Sequence, residues 1–170
     1  MFLHADDGGL RIDGATTAVE DGEAWVVQYA IGFGAAWSAL SALVAGRSAA
    51  GVSQLSVAGD GAGHWELNGA AAPALDGCLD VDLESSALTN AVPVRRLRLA
   101  IGRQAEAPAV YVRAGDPHVE RLEHRYVRLD DDGDRQRYDY TARRFGFACE
   151  LLCDSYGLLL DYPGIATRAA

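Results

Sequence analysis

The stretch "GCLDVDLESSALTNAVPVRRLRL", residues 77–99, places three acids and three arginines against an aliphatic background. Its first part alternates strictly. Leu79, Val81 and Leu83 point one way on an extended strand, and Asp80, Asp82 and Glu84 point the other. Carboxylates on one strand face repeat at about 6–7 Å. Such a ladder suits calcium, or a general acid paired with a general base. It equally suits a charge pairing. If "RRLRLAIG" (95–102) is a strand following after one turn, Arg96 and Arg98 share a face that would meet the acids. Carboxylates turned into a barrel interior need such partners, because unpaired buried charge is costly. The pairing is the stronger reading. "SALTN" (86–90) reads as a turn or short helix, and Pro93 interrupts any regular ladder there. Thr89 and Asn90 are placed to close that turn through side-chain hydrogen bonds. Contact with a polar head group is their functional alternative.

Outward from this stretch, strand signals dominate. "GLRIDG" (9–14) opens the series, and "EAWVVQYAI" (23–31) is rich in β-branched and aromatic residues. In "AAWSALSALVA" (35–45), Trp37, Ala39, Ser41 and Leu43 share a face at period two, although helical spacing also fits. Val52–Val57, the turn "GDGAG" and His64–Leu67 form a hairpin. Beyond residue 100 follow "AVYVRAG", "ERLEHRYVRLD", "RYDYTARR", "FGFACELLCD" and "LLLDY", with hairpin turns near "DDDGD" and "DSYG". The count is about eleven or twelve strands with little helix. The expectation is an all-β single domain over residues 1–170, a sandwich or barrel, mostly antiparallel.

Bulk properties narrow the function classes. A chain of 170 residues buries roughly 70% of its unfolded surface and needs no disulfide or structural metal. With net charge −9 and pI about 4.8, its field repels nucleic acid and anionic membranes alike. All fifteen basic residues are arginine, which removes Schiff-base and P-loop lysine chemistry. The N-terminal stretch lacks a signal-peptide pattern, and no window approaches the ~20 apolar residues of a spanning helix. A cytoplasmic location is expected. Cys78, Cys149 and Cys153 lack C-x-x-C spacing and read as buried free thiols.

Several motifs fail on inspection. "DDDGD" puts Arg128 at the first position of an EF-hand loop and Asp139 at the twelfth. "GRSAA" lacks the last glycine of a nucleophile elbow, and His64 takes the last glycine's place in "GDGAGH". His4, His64, His118 and His124 have no zinc spacing. No cofactor or metal is expected. The aromatics, among them Trp25, Trp37, Trp65, Tyr29, Tyr126, Tyr138 and Tyr140, serve either as core or as the walls of a mixed pocket.

The central stretch resembles the Putative glycolipid-binding family of bacteria, formerly a domain of unknown function. That signature runs roughly G-C-x-D-V-D-[IL] and then [TS]-P-x-T-N-[TS]-L-P-I-R-R-L. Gly77, Cys78, Asp80, Val81, Asp82, Thr89, Asn90, Pro93, Arg95, Arg96 and Leu97 match it. His64-Trp65, Arg125-Tyr126, "YDY" at 138–140 and "GLLLDYPG" at 157–164 extend the likeness over nearly the whole chain. Ala87, Val92, Val94 and His124 depart from it. The resemblance implies a curled antiparallel sheet forming a partly open β-barrel or spiral β-roll, similar to lipoprotein carriers.

Three functions follow as expectations. The first is non-enzymatic binding of a lipid or glycolipid in a barrel cavity. Its ligand-binding candidates are Asp80, Asp82, Thr89, Asn90, Arg95 and Arg96, with Trp37, Trp65 and Tyr126 as walls. The second is a hydrolase using Asp80 and Asp82 as acid and base. The third is a protein-interaction module whose acidic surface recruits a basic partner.

Overall fold

A computed structural model describes residues 2–6, 9–114 and 118–169. Gly115, which ends the predicted strand "AVYVRAG", lies outside the described residues, as do Met1, Asp7 and Gly8 of the N-terminal stretch. Seven strands in chain order build the first sheet: β1 (Phe2–Asp6), β2 (Gly9–Glu20), β3 (Glu23–Phe33), β4 (Ala39–Ser48), β5 (Gly51–Gly59), β6 (Trp65–Leu67) and β7 (Ala70–Ala71). Then come β8 (Asp80–Leu83), a 3₁₀ turn (Ala87–Asn90) and one helix, α1 (Ala91–Leu97). The remaining strands are β9 (Gln104–Glu106), β10 (Ala109–Val112), β11 (Val119–Leu122), β12 (His124–Arg128), β13 (Gln136–Ala142), β14 (Phe147–Cys153), β15 (Leu159–Tyr162) and β16 (Ala166–Thr167).

The chain is all-β and largely antiparallel, as expected. Its described residues contain more strands than the eleven or twelve read from the sequence, and they form three sheets. The second sheet has the order β11-β10-β8, and the third β16-β15-β14-β13-β12-β9. Neither the first nor the last strand of any sheet pairs with the other, so each sheet is open among the described residues. One pairing departs from the antiparallel rule: β8 runs parallel to β10. Parallel neighbours need a crossover, and α1 with β9 supplies it.

The second sheet is the keystone. All four residues of β8 and all four of β10 are buried. Val81, Leu83, Val110 and Val112 join the apolar core of the first sheet, built on Val27, Ile31, Val44 and Val57. A second core gathers Tyr126, Tyr138, Tyr140, Leu151 and Tyr162 of the third sheet around Val94 of α1.

Side chains lock the first sheet to the segment that leads into and out of β8. Tyr29 lies across its strand partner Gly14 and hydrogen-bonds Ser86 Oγ at 2.8 Å. Thr16 donates to the Ser85 carbonyl at 2.6 Å. Trp65 lies across Gly59 and donates from Nε1 to the Cys78 carbonyl at 3.0 Å. A Cβ at Gly14 would stand 2.2 Å from Tyr29 Cζ, and one at Gly59 would press on the Trp65 ring at 3.0 Å, so replacing either glycine displaces its ring.

Two strand expectations are corrected. The predicted strand 35–45 begins only at Ala39, after a turn at Gly34–Ser38. A bulge opposite Gly32/Phe33 then shifts its phase. Ala39, Ala42 and Val44 face inward, and Leu43 is 45% exposed rather than sharing an inner face with Ala39. "RRLRLAIG" is no strand. Its first half completes α1, despite β-branched residues of low helix propensity. Pro93 sits in the first turn, where its missing N–H costs nothing, and Val92 and Val94 are buried. Packing therefore overrides propensity. No helix among the described residues is long and apolar enough to cross a membrane.

Two outcomes test this packing. Gly14→Ala should cost about 1–3 kcal/mol by driving Tyr29 off Ser86, measured by urea denaturation. Burial pushes the Cys78 and Cys149 thiols up to about 11 and Cys153 up to about 12. At pH 8 the native protein should react with Ellman's reagent about two orders of magnitude more slowly than the unfolded chain.

Candidate functional site

Asp80 and Asp82 leave the same side of β8 and face the third sheet, while Val81 and Leu83 turn to the first. Asp80 is 1% exposed. Arg96 reaches it from α1, Nε to Oδ1 at 2.9 Å and Nη2 to Oδ2 at 2.5 Å. Burial pushes the Asp80 carboxyl above its ordinary range, and the Arg96 guanidinium pulls against that. The Asp–Arg pairing expected from the sequence is present for this pair, but it comes from a helix rather than a facing strand. On a helix, consecutive residues point about 100° apart and residues three apart share a face. Arg98 lies just beyond the helix in the left-handed conformation and lines a cavity with Arg95, away from Asp80. Glu84, third of the predicted ladder, is exposed and accepts the Ala114 N–H at 2.8 Å.

Asp82 organises a different group. Its Oδ1 accepts Thr89 Oγ1 at 2.8 Å and Asn90 Nδ2 at 3.4 Å. Thr89 Oγ1 also accepts the Leu83 N–H at 3.1 Å and stands 2.7 Å from the Ser86 carbonyl. This is the turn closure expected of Thr89, with a carboxylate added. Asn90 Oδ1 in turn accepts the Tyr126 hydroxyl at 3.1 Å. Asp82 Oδ2 makes no hydrogen bond among the described residues and lies 3.4 Å from His124 Nε2. His124 is 1% exposed, and neither ring nitrogen has a hydrogen-bond partner. Its ring packs edge-on to Tyr140 at 5.3 Å between centroids.

Asp82 and Asn90 line a cavity of about 270 Å³ whose other walls include Tyr111, Tyr140, Phe147 and Tyr162. Burial drives the hydroxyl pKa of all three tyrosines upward, so they stay neutral donors. A groove of about 660 Å³ adjoins it, sharing Glu84, Ala87 and Ile165 as lining residues. Trp25, Leu88 and Leu159 give the groove its apolar walls.

The remaining candidates lie elsewhere. Trp65 and Tyr126 are in the two cores, 3% and 0% exposed, holding Cys78 and Asn90 respectively. Trp37 and Arg95 stack on each other, with the guanidinium carbon 4.1 Å from the ring centroid, in a separate cavity. Sequence reasoning singled out neither Tyr111 nor Tyr162 for the Asp82 cavity. For Tyr162 a signal existed, because it lies within the family motif at 157–164. Asp80 is committed to Arg96 on both oxygens, so an acid–base couple with Asp82 would lack one member. Asp80→Ala should strand the Arg96 charge and cost about 3–5 kcal/mol of stability. Asp82→Asn, which keeps an acceptor for Thr89, should cost less, and denaturant midpoints compare the two.

No curated protein matches the chain. The crystal structure of a DUF1089 family protein from Pseudomonas aeruginosa is similar, with a TM-score of 0.85 and 34% identity, covering 99% of this chain and 90% of that one. The sequence model described as "Putative glycolipid-binding" matches residues 1–168, a span that takes in β8, the Asp82 turn and α1. The chain belongs to that family.

Proposed function

We propose that this protein is a non-enzymatic binder of a glycolipid, with the sugar head group at Asp82 and the acyl chain in the adjoining groove. The observation that carries the reading is the joining of a tyrosine-rich cavity at Asp82 to a larger groove with apolar walls. One is walled by two carboxylates, an amide and three tyrosine hydroxyls beside Leu122, Phe145 and Phe147. The other is larger and mixed, with Trp25, Leu88 and Leu159 as apolar walls beside Ser85, Ser86, Glu20 and Arg168, and the two meet at Glu84, Ala87 and Ile165. Small-ligand sites are built in this way, with apolar walls and a few convergent polar groups. Asp82 Oδ2 is an unspent acceptor, suited to a sugar hydroxyl, and aromatic faces suit the C–H surface of a pyranose ring. In this reading the three open sheets act together as a partly open barrel around the ligand. The family description supports the ligand class.

The head group is expected to be uncharged or cationic near Asp82, because that cavity carries two carboxylates, Asp82 and Glu84, and no basic residue. Native mass spectrometry of protein purified without detergent from bacterial cells tests the proposal. A discrete extra mass that partitions into organic solvent and contains sugar is expected. Asp82→Asn should lower the occupied fraction several-fold. Protein carrying only its own chain mass, purified from those cells, would sink the reading.

A further inference from the structure

The opposite end of α1 carries a cavity of different chemistry. Asn90 precedes the helix at the Asp82 side, and Arg98 caps its C-terminal end. There, Arg95, Arg98 and Arg128 line a cavity of about 390 Å³ that shares no lining residue with the Asp82 cavity. No carboxylate lines it. In a chain with 24 acidic and 15 basic residues, a cavity lined by three arginines and no acid is a local reversal of charge, carried by Arg95 and Arg98 because Arg128 is paired with Asp131 behind the wall.

The guanidiniums are held in place. Arg95 lies over the Trp37 ring and Arg128 over the Tyr138 ring, at 4.1 and 4.9 Å from the centroids. Arg128 is a fixed wall, its Nη1 given to the Leu129 and Arg137 carbonyls and its Nη2 to Asp131, whereas stacking leaves an Arg95 edge available for contacts with an oxyanion. Arg95 spends one nitrogen on the Tyr156 carbonyl, while its buried Nε has no partner. The Arg98 backbone N–H caps the helix by donating to the Val94 carbonyl, while its side chain makes no hydrogen bond or ion pair among the described residues and is exposed. The nearby acids are already engaged. Asp131 pairs with Arg128, and Asp154 takes Arg168 together with the N–H groups of Tyr156 and Leu158.

Backbone strain converges on the same place. Four non-glycine residues have positive φ: Asp21, Trp37, Asn68 and Arg98. Asp and Asn tolerate the left-handed region, but a bulky side chain there is an outlier. Trp37 at φ 66° and Arg98 at φ 45° are such outliers, and both line this cavity. Strain of this kind clusters at ligand sites, where positioning a side chain outweighs its cost. Gly157 completes the fit, since a Cβ there would press on Arg95 Cγ and Val94 Cγ1 at 3.3 Å.

We infer that the cavity formed by Trp37, Arg95, Arg98, Arg128 and Tyr138 binds the phosphate group of a phosphate monoester. Its volume leaves room for a small polar body beyond the phosphate. The site stands apart from the glycolipid reading and survives its failure. Two sources carry this chemistry, a soluble phosphorylated molecule and a lipid head group.

Calorimetric titration with phenyl phosphate, and co-sedimentation with phosphatidylcholine vesicles containing phosphatidic acid, test both. Each is run on the native chain and on Arg98→Gly. The variant removes the unpaired cation and relieves the left-handed strain, so its melting temperature should hold or rise. Saturable phenyl phosphate binding, weakened at least tenfold in the variant, supports the site with a soluble source. Sedimentation that requires phosphatidic acid and is lost in the variant supports it with a lipid source. Binding of neither probe overturns the proposal, as does binding that Arg98→Gly leaves unchanged.

Discussion

Two carboxylates, Asp80 and Asp82, are buried on the face of β8 that looks towards the third sheet, and most of the surrounding structure serves to make that burial tolerable. An ionised carboxylate removed from water without partners is several kcal/mol unfavourable. Asp80 is therefore met by a bidentate arginine, and that arginine is delivered by α1. Asp82 is met by Thr89 and Asn90, which the 3₁₀ turn before α1 delivers. The turn and the helix thus have an electrostatic reason to exist, in a stretch whose valines and proline do not favour a helix. The opposite face of β8 is purely aliphatic and closes the core of the first sheet. One four-residue strand joins an apolar interior to a polar one.

This arrangement explains why the two sheets differ in character. The first is a long meander whose inner face is mainly aliphatic and whose Tyr29 and Trp65 rings lie over cross-strand glycines. The third presents Tyr126, Tyr140, Tyr162 and His124 towards the Asp82–Asn90 cluster, where the Tyr126 hydroxyl donates to Asn90. Its edge-to-face ring contacts, such as Tyr140 against Tyr162 at 5.7 Å, keep those rings ordered while their polar atoms face the cavity. Within this cluster the polar interior is incompletely satisfied at the buried nitrogens of His124 and at Asp82 Oδ2, 3.4 Å from His124 Nε2.

α1 also separates two chemistries over a short span. Seven helical residues cover about 10 Å. Acids, an amide and tyrosine hydroxyls gather at its start, and arginines on aromatic faces gather at its end. Arg95 and Arg96 are adjacent in sequence yet serve opposite purposes, because helical geometry sends one to a cavity and the other to Asp80.

The sequence by itself determined the all-β class, the hairpin at 52–67, the strand at 80–83 and the existence of an Asp–Arg pairing. Period-two alternation and opposite charge are local or compositional signals, and they survive without knowledge of the fold. Only the tertiary structure decided which arginine pairs with which acid. That choice turns on whether residues 91–97 are helix or strand, and burial of Val92 and Val94 outweighed their intrinsic preference. The same holds for the inward face of β4, which a single bulge reversed, and for the parallel pairing of β8 with β10. It also holds for the division of Asp82, Asn90, Trp37 and Arg95 between two cavities. Each depends on contacts between residues far apart in the chain, and periodicity along the chain carries no information about those.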